Sequence, residues 1–203
     1  MRFLCASRKA VCTDTRPALF ALRLSQYISL GSRKFGGPIS IVFWARVDTL
    51  PGYNQLLDFG SAGSSNSPDY VFLIGLAHGA PNLFYLCGTA ASGSSVSASF
   101  PATVTLGMWM HWAVTVDARG YATGYLNGVP AATTAGVCGV PITTRTNLML
   151  GKSWWADPML KGAIGDVQIM EYVLAPSEIA SMYGGLGCAV ESFTPRASCW
   201  HDA

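Results

Sequence analysis

Apolar and polar positions alternate along this chain with the period of a strand rather than a helix. Ile39, Ile41, Phe43, Ala45 and Val47 alternate with Ser40, Val42, Trp44 and Arg46, which predicts a strand with one fully apolar face and one mixed face. Met110, Trp112, Val114 and Val116 alternate in the same way with His111, Ala113, Thr115 and Asp117, and both segments read as central strands. Shorter apolar runs, Gln55 to Phe59, Tyr70 to Leu76 and Asn82 to Cys87, are bounded by Gly, Ser, Pro and Asn and read as further strands. Asn127-Gly128 lies between Tyr121–Leu126 and Val129–Ala132. Both residues tolerate positive φ, so a two-residue hairpin is expected there. Ile164 and Val167 are three apart while Val167 and Ile169 are two apart, so keeping all three inward requires a bulge near Gly165. One segment reads as helix: Pro176 suits the first helical position, Glu178 the third, Ile179 and Tyr183 share a face, and Gly184-Gly185 ends the turn. Many strands, frequent turn signals and one short C-terminal helix predict an all-β, antiparallel two-sheet sandwich.

The most informative stretch is residues 147 to 172. An apolar strand enters a tight Gly-Lys-Ser turn, a loop follows with adjacent tryptophans and an aspartate, and a Gly-interrupted strand closes it. This resembles the closing segment of laminin G-like domains. Gln26–Leu30, Ile39–Arg46, Gly107–Val114, Tyr125–Gly128 and Leu174–Ile179 follow the order of that family, so the resemblance spans roughly residues 19 to 184. It implies a concanavalin A-like jelly roll over residues 19–185. Residues 1–18 become an N-terminal appendage and 186–203 a Cys-containing C-terminal tail. The family usually places a capping Ser where this chain has Ala175. Losing a side-chain cap costs about 1 kcal/mol, so the helix is expected to be short and held by packing.

Composition narrows the function classes. Half of the 203 residues are hydrophobic, 12% are charged and 22 are glycine, which suits one domain of short strands joined by tight turns. Residues 1 to 46 carry eight of the thirteen basic side chains and Asp14 as their one acid, a net +7; the remainder holds five basic and ten acidic residues, a net −5. Scattered Arg and Lys without a reader motif give no reason to expect nucleic-acid binding. No run of 18 apolar residues is present, so no membrane span is expected. The start, Met1 to Lys9, breaks well before the 7 to 15 apolar residues of a secretory leader. Its basic, acid-poor character fits an organelle transit peptide or the truncated start of a larger protein. Of six cysteines, Cys87 with Cys138 and Cys188 with Cys199 are the candidates for disulfides, with buried free thiols as the alternative for Cys87 and Cys138. Disulfides would place the chain in an oxidising compartment.

Glucanases share the implied fold and need paired carboxylates about 5 Å apart for retaining chemistry. This chain has three glutamates, Glu171, Glu178 and Glu191, and no Glu-x-Asp-x-Glu strand; on a regular strand Asp166 and Glu171 would face opposite ways. His78, His111 and His201 accompany no Gly-x-Ser-x-Gly elbow or Cys-His signature. His111 is expected to pack in a hydrogen-bonded structural role, and His78 to lie on a surface loop.

The loop Ser153 to Pro158 is the binding candidate. A sugar ring has an apolar face that stacks on an aromatic and hydroxyls that need donors and acceptors, which Trp154, Trp155, Asp157 and Lys152 supply. The family often carries an aromatic here that packs over the sandwich edge, so at least one of the tryptophans is expected to be structural. The resemblance also implies calcium at the rim, with Asp58, Asp69 and Asp117, and also Asp157, as carboxylate ligands; solvated or turn-capping aspartates are the alternative. No zinc spacing occurs. The polar stretches 60–69 and 90–99 read as loops. Together these readings give a non-catalytic recognition or adhesion module that binds a glycan or an extracellular protein through its loop rim. It would stand outside the cell or on its surface, within a larger protein. The alternatives are an assembly module and a diverged glucanase.

Overall fold

The computed structural model describes residues 19–22, 26–60, 72–76, 83–89, 95–134 and 140–185. In chain order the strands are β1 (Leu19–Leu22), β2 (Ile28–Ser29), β3 (Arg33–Phe35), β4 (Ile39–Val47), β5 (Asn54–Gly60), β6 (Phe72–Leu76), β7 (Leu83–Thr89) and β8 (Ser95–Pro101). They continue with β9 (Trp109–Val116), β10 (Ala122–Leu126), β11 (Val129–Thr134), β12 (Thr143–Arg145), β13 (Asn147–Leu150) and β14 (Gly162–Met170), and helix α1 (Pro176–Gly185) follows. One six-stranded sheet runs β1-β14-β4-β9-β10-β11, the other β2-β13-β5-β6-β7-β8, and β12 with β3 forms a small ribbon. Every pairing is antiparallel. The architecture is the expected jelly-roll sandwich.

The core lies between the two large sheets. Ile39, Ile41, Phe43, Ala45 and Val47 of β4 and Met110, Trp112, Val114 and Val116 of β9 point into it, facing Leu57 and Phe59 of β5 and Leu148 and Leu150 of β13. The sequence alternation therefore maps onto the two sides of the first sheet. Phe43 and Trp112 stack with centroids 6.2 Å apart. Gly124 of β10 leaves room for Phe100 of β8, whose ring a Cβ at that position would strike. The other side of the first sheet is covered by α1, through Val42, Ala113, Tyr125, Met170, Leu174 and Ile179.

Asn127 and Gly128 adopt φ of 52° and 76°, and Leu126 pairs with Val129, so the hairpin forms as read. In β14 Gly165 pairs with Trp44 and Gln168 with Val42, placing Asp166 and Val167 opposite Phe43 alone; this is the bulge that the spacing required, with Asp166 at φ 48°. Residues 95–99, read as part of a polar loop, instead belong to β8. Their backbone pairs along β7 from Thr89↔Ser95 to Leu83↔Pro101, and sheet pairing overrides the weak apolar signal of the serines. At the helix start Ala175 offers no side-chain cap. Glu178 reaches back instead, its Oε2 accepting the Ala175 N–H at 2.7 Å, which is one half of a capping box. The ribbon rests on a feature not read from the sequence: Arg145 is buried, donating to the carbonyls of Phe59 (2.9 Å) and Pro141 (3.2 Å) with its guanidinium 5.0 Å from the Phe35 ring centroid.

Candidate functional site

The loop between β13 and β14 is shaped by hydrogen bonds rather than by regular structure. Gly151, at φ 77°, turns the chain out of β13 while its N–H donates to the Leu56 carbonyl. The Leu160 N–H donates to the Gly151 carbonyl at 2.8 Å, so the two ends of the loop are tied together. Inside it, the Ser153 hydroxyl accepts the Trp155 N–H at 2.9 Å, a local serine turn, and donates to Asp157 Oδ2 at 3.0 Å. Gln55 Nε2 donates to the same Asp157 oxygen at 3.2 Å, anchoring the loop to β5.

Asp58 of β5 lies beneath the loop, fully buried, and its Oδ2 accepts the Trp154 N–H at 2.8 Å. Burial pushes the Asp58 carboxyl up to about 6. Hydrogen bonds from the Trp154 and Gly60 N–H groups oppose the rise, and the nearby charge of Asp157 adds to it. The pair thus fixes the loop from below at an electrostatic cost.

Above this network Trp154 and Trp155 are 45% and 39% exposed. Each indole is partly covered and keeps a face open to solvent. Lys152 Nζ lies 4.6 Å from the Tyr27 ring centroid, a cation–π contact with the segment just before β2. The structure therefore gathers Lys152, Trp154, Trp155 and Asp157 on one fixed loop. Ser153, within the loop as read, holds it together with Gln55 and Asp58, which sequence reading did not place in this site.

Asp117 stands apart, at the end of β9 in the other sheet. Its Oδ1 accepts the N–H groups of Arg119 and Tyr121, both at 2.8 Å, and caps the turn into β10. Asp69 lies outside the described residues. Calcium takes six to eight oxygen ligands. Among the described residues no three ligating side chains come together for a metal, and Asp58 and Asp117 lie in different sheets, each accepting hydrogen bonds from backbone N–H groups.

His111 is buried on the outer face of the first sheet, its ring 5.3 Å from Trp44 and 5.9 Å from Tyr183. Its role is packing. The expected ring hydrogen bond is not seen, since Nδ1 meets no partner among the described residues, and desolvation lowers its pKa to about 4. Asp166 occupies the β14 bulge, where Gln168 Nε2 donates to it at 3.2 Å; the regular-strand geometry assumed for Asp166 and Glu171 does not hold there. Burial raises the Asp166 pKa. Glu171 is exposed beyond the strand end. Of the cysteines expected to pair, Cys87 falls in β7, while Cys138, Cys188 and Cys199 lie outside the described residues, as do His78 and His201. No helix among the described residues is long and apolar enough to cross a membrane.

Residues 23–180 match the laminin G model of the concanavalin A-like lectin/glucanases superfamily. Comparison with curated protein sequences gives no match. Among solved structures, the chain is similar to the CBM40 module of the Ruminococcus gnavus IT-sialidase bound to α2,3-sialyllactose, at 17% identity and TM-score 0.60, covering 81% of this chain and 100% of that one. Domain 4 of an extracellular GH43 arabinanase from Geobacillus stearothermophilus, in complex with arabinotriose, is 20% identical with TM-score 0.58, covering 83% and 82%. A heptameric SAP-like pentraxin from Limulus polyphemus is 14% identical with TM-score 0.59, covering 95% and 89%. At these identities the likeness establishes a shared fold.

Proposed function

The chain belongs to the concanavalin A-like lectin/glucanases superfamily, and we propose that it is a non-catalytic carbohydrate-recognition module that holds a sugar against Trp154 and Trp155. The observation that carries this reading is the pair of adjacent, exposed indoles on a loop fixed by buried polar groups. A preordered aromatic platform stacks on the apolar face of a sugar without first losing conformational entropy. Asp157 and Lys152 supply the acceptor and donors that a sugar's hydroxyls need. Two similar structures carry α2,3-sialyllactose and arabinotriose, which makes these the first ligands to try.

The non-catalytic part rests on the acids. A glycosidase needs two carboxyl groups flanking the scissile bond. At the tryptophan loop the neighbouring carboxyls are Asp58 and Asp157, and Asp58 is fully buried with its Oδ2 committed to the Trp154 N–H, out of reach of a substrate held there. In this reading the recognition domain spans residues 19–185, residues 1–18 and 186–203 are appendages, and the module works outside the cell as part of a larger protein.

The test is calorimetric titration of the protein with arabinotriose and α2,3-sialyllactose, extended to a glycan array. Trp154→Ala and Trp155→Ala should each weaken binding about tenfold or more, as loss of a stacking anchor does. Absence of any ligand across the array, or binding indifferent to both substitutions, overturns the proposal. Hydrolysis of a bound glycan overturns its non-catalytic part.

A further inference from the structure

A second feature with ligand chemistry lies on the outer face of the first sheet. The tryptophan loop enters β14 where Gly162 pairs with Val47, at one end of β4; at the other end Ile39 pairs with Val116, and there the outer face carries a row of hydroxyls. Register places Thr123 of β10 opposite both Thr115 of β9 and Thr133 of β11, so three threonines cross three neighbouring strands in line. Side chains opposed in this way stand about 4.5–5.5 Å apart. The Thr123 and Thr133 hydroxyls are 2.9 Å apart and hydrogen-bonded, and the Tyr125 phenol is hydrogen-bonded with Thr115.

Thr123 and Thr133 lie at the surface while Thr115 is buried beside the Tyr125 phenol, and together they line a shallow, open groove. Its volume is about 500 Å³. The Asp117–Tyr121 turn borders it on one side, and Val173, Leu174, Ala175 and the start of α1 on the other. Tyr121 is 43% exposed. The carboxylates are held in place: Asp117 by the Arg119 and Tyr121 N–H groups, Glu178 by the Ala175 N–H. Arg119 is the single cation among the lining residues, against these two carboxylates.

We propose that this groove is a second saccharide site, taking a neutral oligosaccharide segment whose hydroxyls meet those of Thr123 and Thr133 while a sugar face rests on Tyr121. The size falls within the usual range for small-ligand sites, about 300–1,000 Å³. Thr123 and Thr133 already bond each other, but each hydroxyl keeps capacity for a further hydrogen bond, which a sugar hydroxyl can use and an apolar ligand cannot. A polyanion would meet two fixed carboxylates against one guanidinium. The site is independent of the tryptophan loop, so either can fail without the other.

The experiment uses the full chain carrying Trp154→Ala and Trp155→Ala together, titrated with cellotriose, maltotriose and xylotriose as neutral probes and with trigalacturonate as the anionic one. At least one neutral trisaccharide should bind, and adding Tyr121→Ala or Thr123→Val should weaken it about tenfold. Trigalacturonate should bind at least tenfold more weakly than that trisaccharide. Thr123→Val keeps the β-branched shape on an open face, and thermal unfolding of each variant confirms that the sheet is intact. The proposal is overturned if no neutral probe binds, if binding ignores both groove substitutions, or if trigalacturonate binds as well as the neutral sugar.

Discussion

The loop over Asp58 and the helix over His111 cover two surfaces of the same sandwich by opposite means. Residues 151–160 have no regular structure, and directed bonds hold them: Asp58 to the Trp154 N–H, Ser153 to Trp155 and Asp157, Gln55 to Asp157. Helix α1 satisfies its own backbone, so an apolar stripe suffices, with Ile179 fully buried against Val42, Ala113, Tyr125, Met170 and Leu174. Its approach is set by one polar pin, Ser40, whose hydroxyl donates to the Tyr172 carbonyl and accepts the Leu174 N–H. An irregular segment must find a partner for each buried backbone group individually. That requirement puts a buried carboxylate under the loop, whereas the helix side buries a neutral imidazole among aromatic rings.

The comparison breaks most visibly if the helix is undermined. Ile179→Ala removes buried volume from the contact that holds α1 and should cost about 3 kcal/mol, within the range for such truncations. Denaturant unfolding measures the loss. Sugar binding at the tryptophan loop should stay within about twofold, because no bond that fixes the loop involves α1. A parallel loss of binding would show the two covers to be coupled.

Acid sharpens the contrast. Asp58 has a folded pKa near 6 against an ordinary 3.8, so between those values the folded state binds more protons than the unfolded, and stability falls as pH rises through this window. His111 has a folded pKa near 4 against 6.5, so the unfolded state binds more protons there, and stability falls as pH drops from 6.5 to 4. Each shift corresponds to about 3 kcal/mol over its window, and the two nearly cancel between pH 4 and 6. Substitution uncovers them separately. Asp58→Asn should lose stability steadily on acidification from pH 6.5 to 4, and His111→Gln should gain it, with the Asp166 rise adding to the gain. Unfolding midpoints measured across that range check the signs; equal slopes in the two variants would refute the assignment.

What was legible beforehand follows the same division. Period-two alternation in β4 and β9, the Asn127-Gly128 turn and the uneven spacing of Ile164, Val167 and Ile169 are local signals, and each has its structural counterpart. The composition of the binding loop was also legible, since Trp, Trp, Lys and Asp stand within six residues. Its support was not. Gln55 and Asp157 are 102 residues apart and meet only because β13 pairs with β5, a register that no local pattern states. The threonine row is hidden for the same reason, its members being unremarkable in three separate strands until register aligns them. Strand β8 escaped because its serines carry little β preference and the pairing with β7 supplies what they lack.

The smallest effect tests whether the helix cover is as independent of local capping as its packing implies. Ala175 sits at the N-cap of α1, where Ser usually contributes about 1 kcal/mol by accepting an N–H of the first turn. Here the Glu178 N–H already reaches the Ala175 carbonyl at 3.0 Å, and Glu178 returns a bond to the Ala175 N–H, so part of that gain is already taken. Ala175→Ser should therefore stabilise the protein by about 0.5 kcal/mol, read as a rise of one to two degrees in Tm for a domain of this size. A gain of 1 kcal/mol or more would mean that the helix start is loose in the parent chain and that capping, alongside the Ile179 contact, limits how firmly α1 is seated.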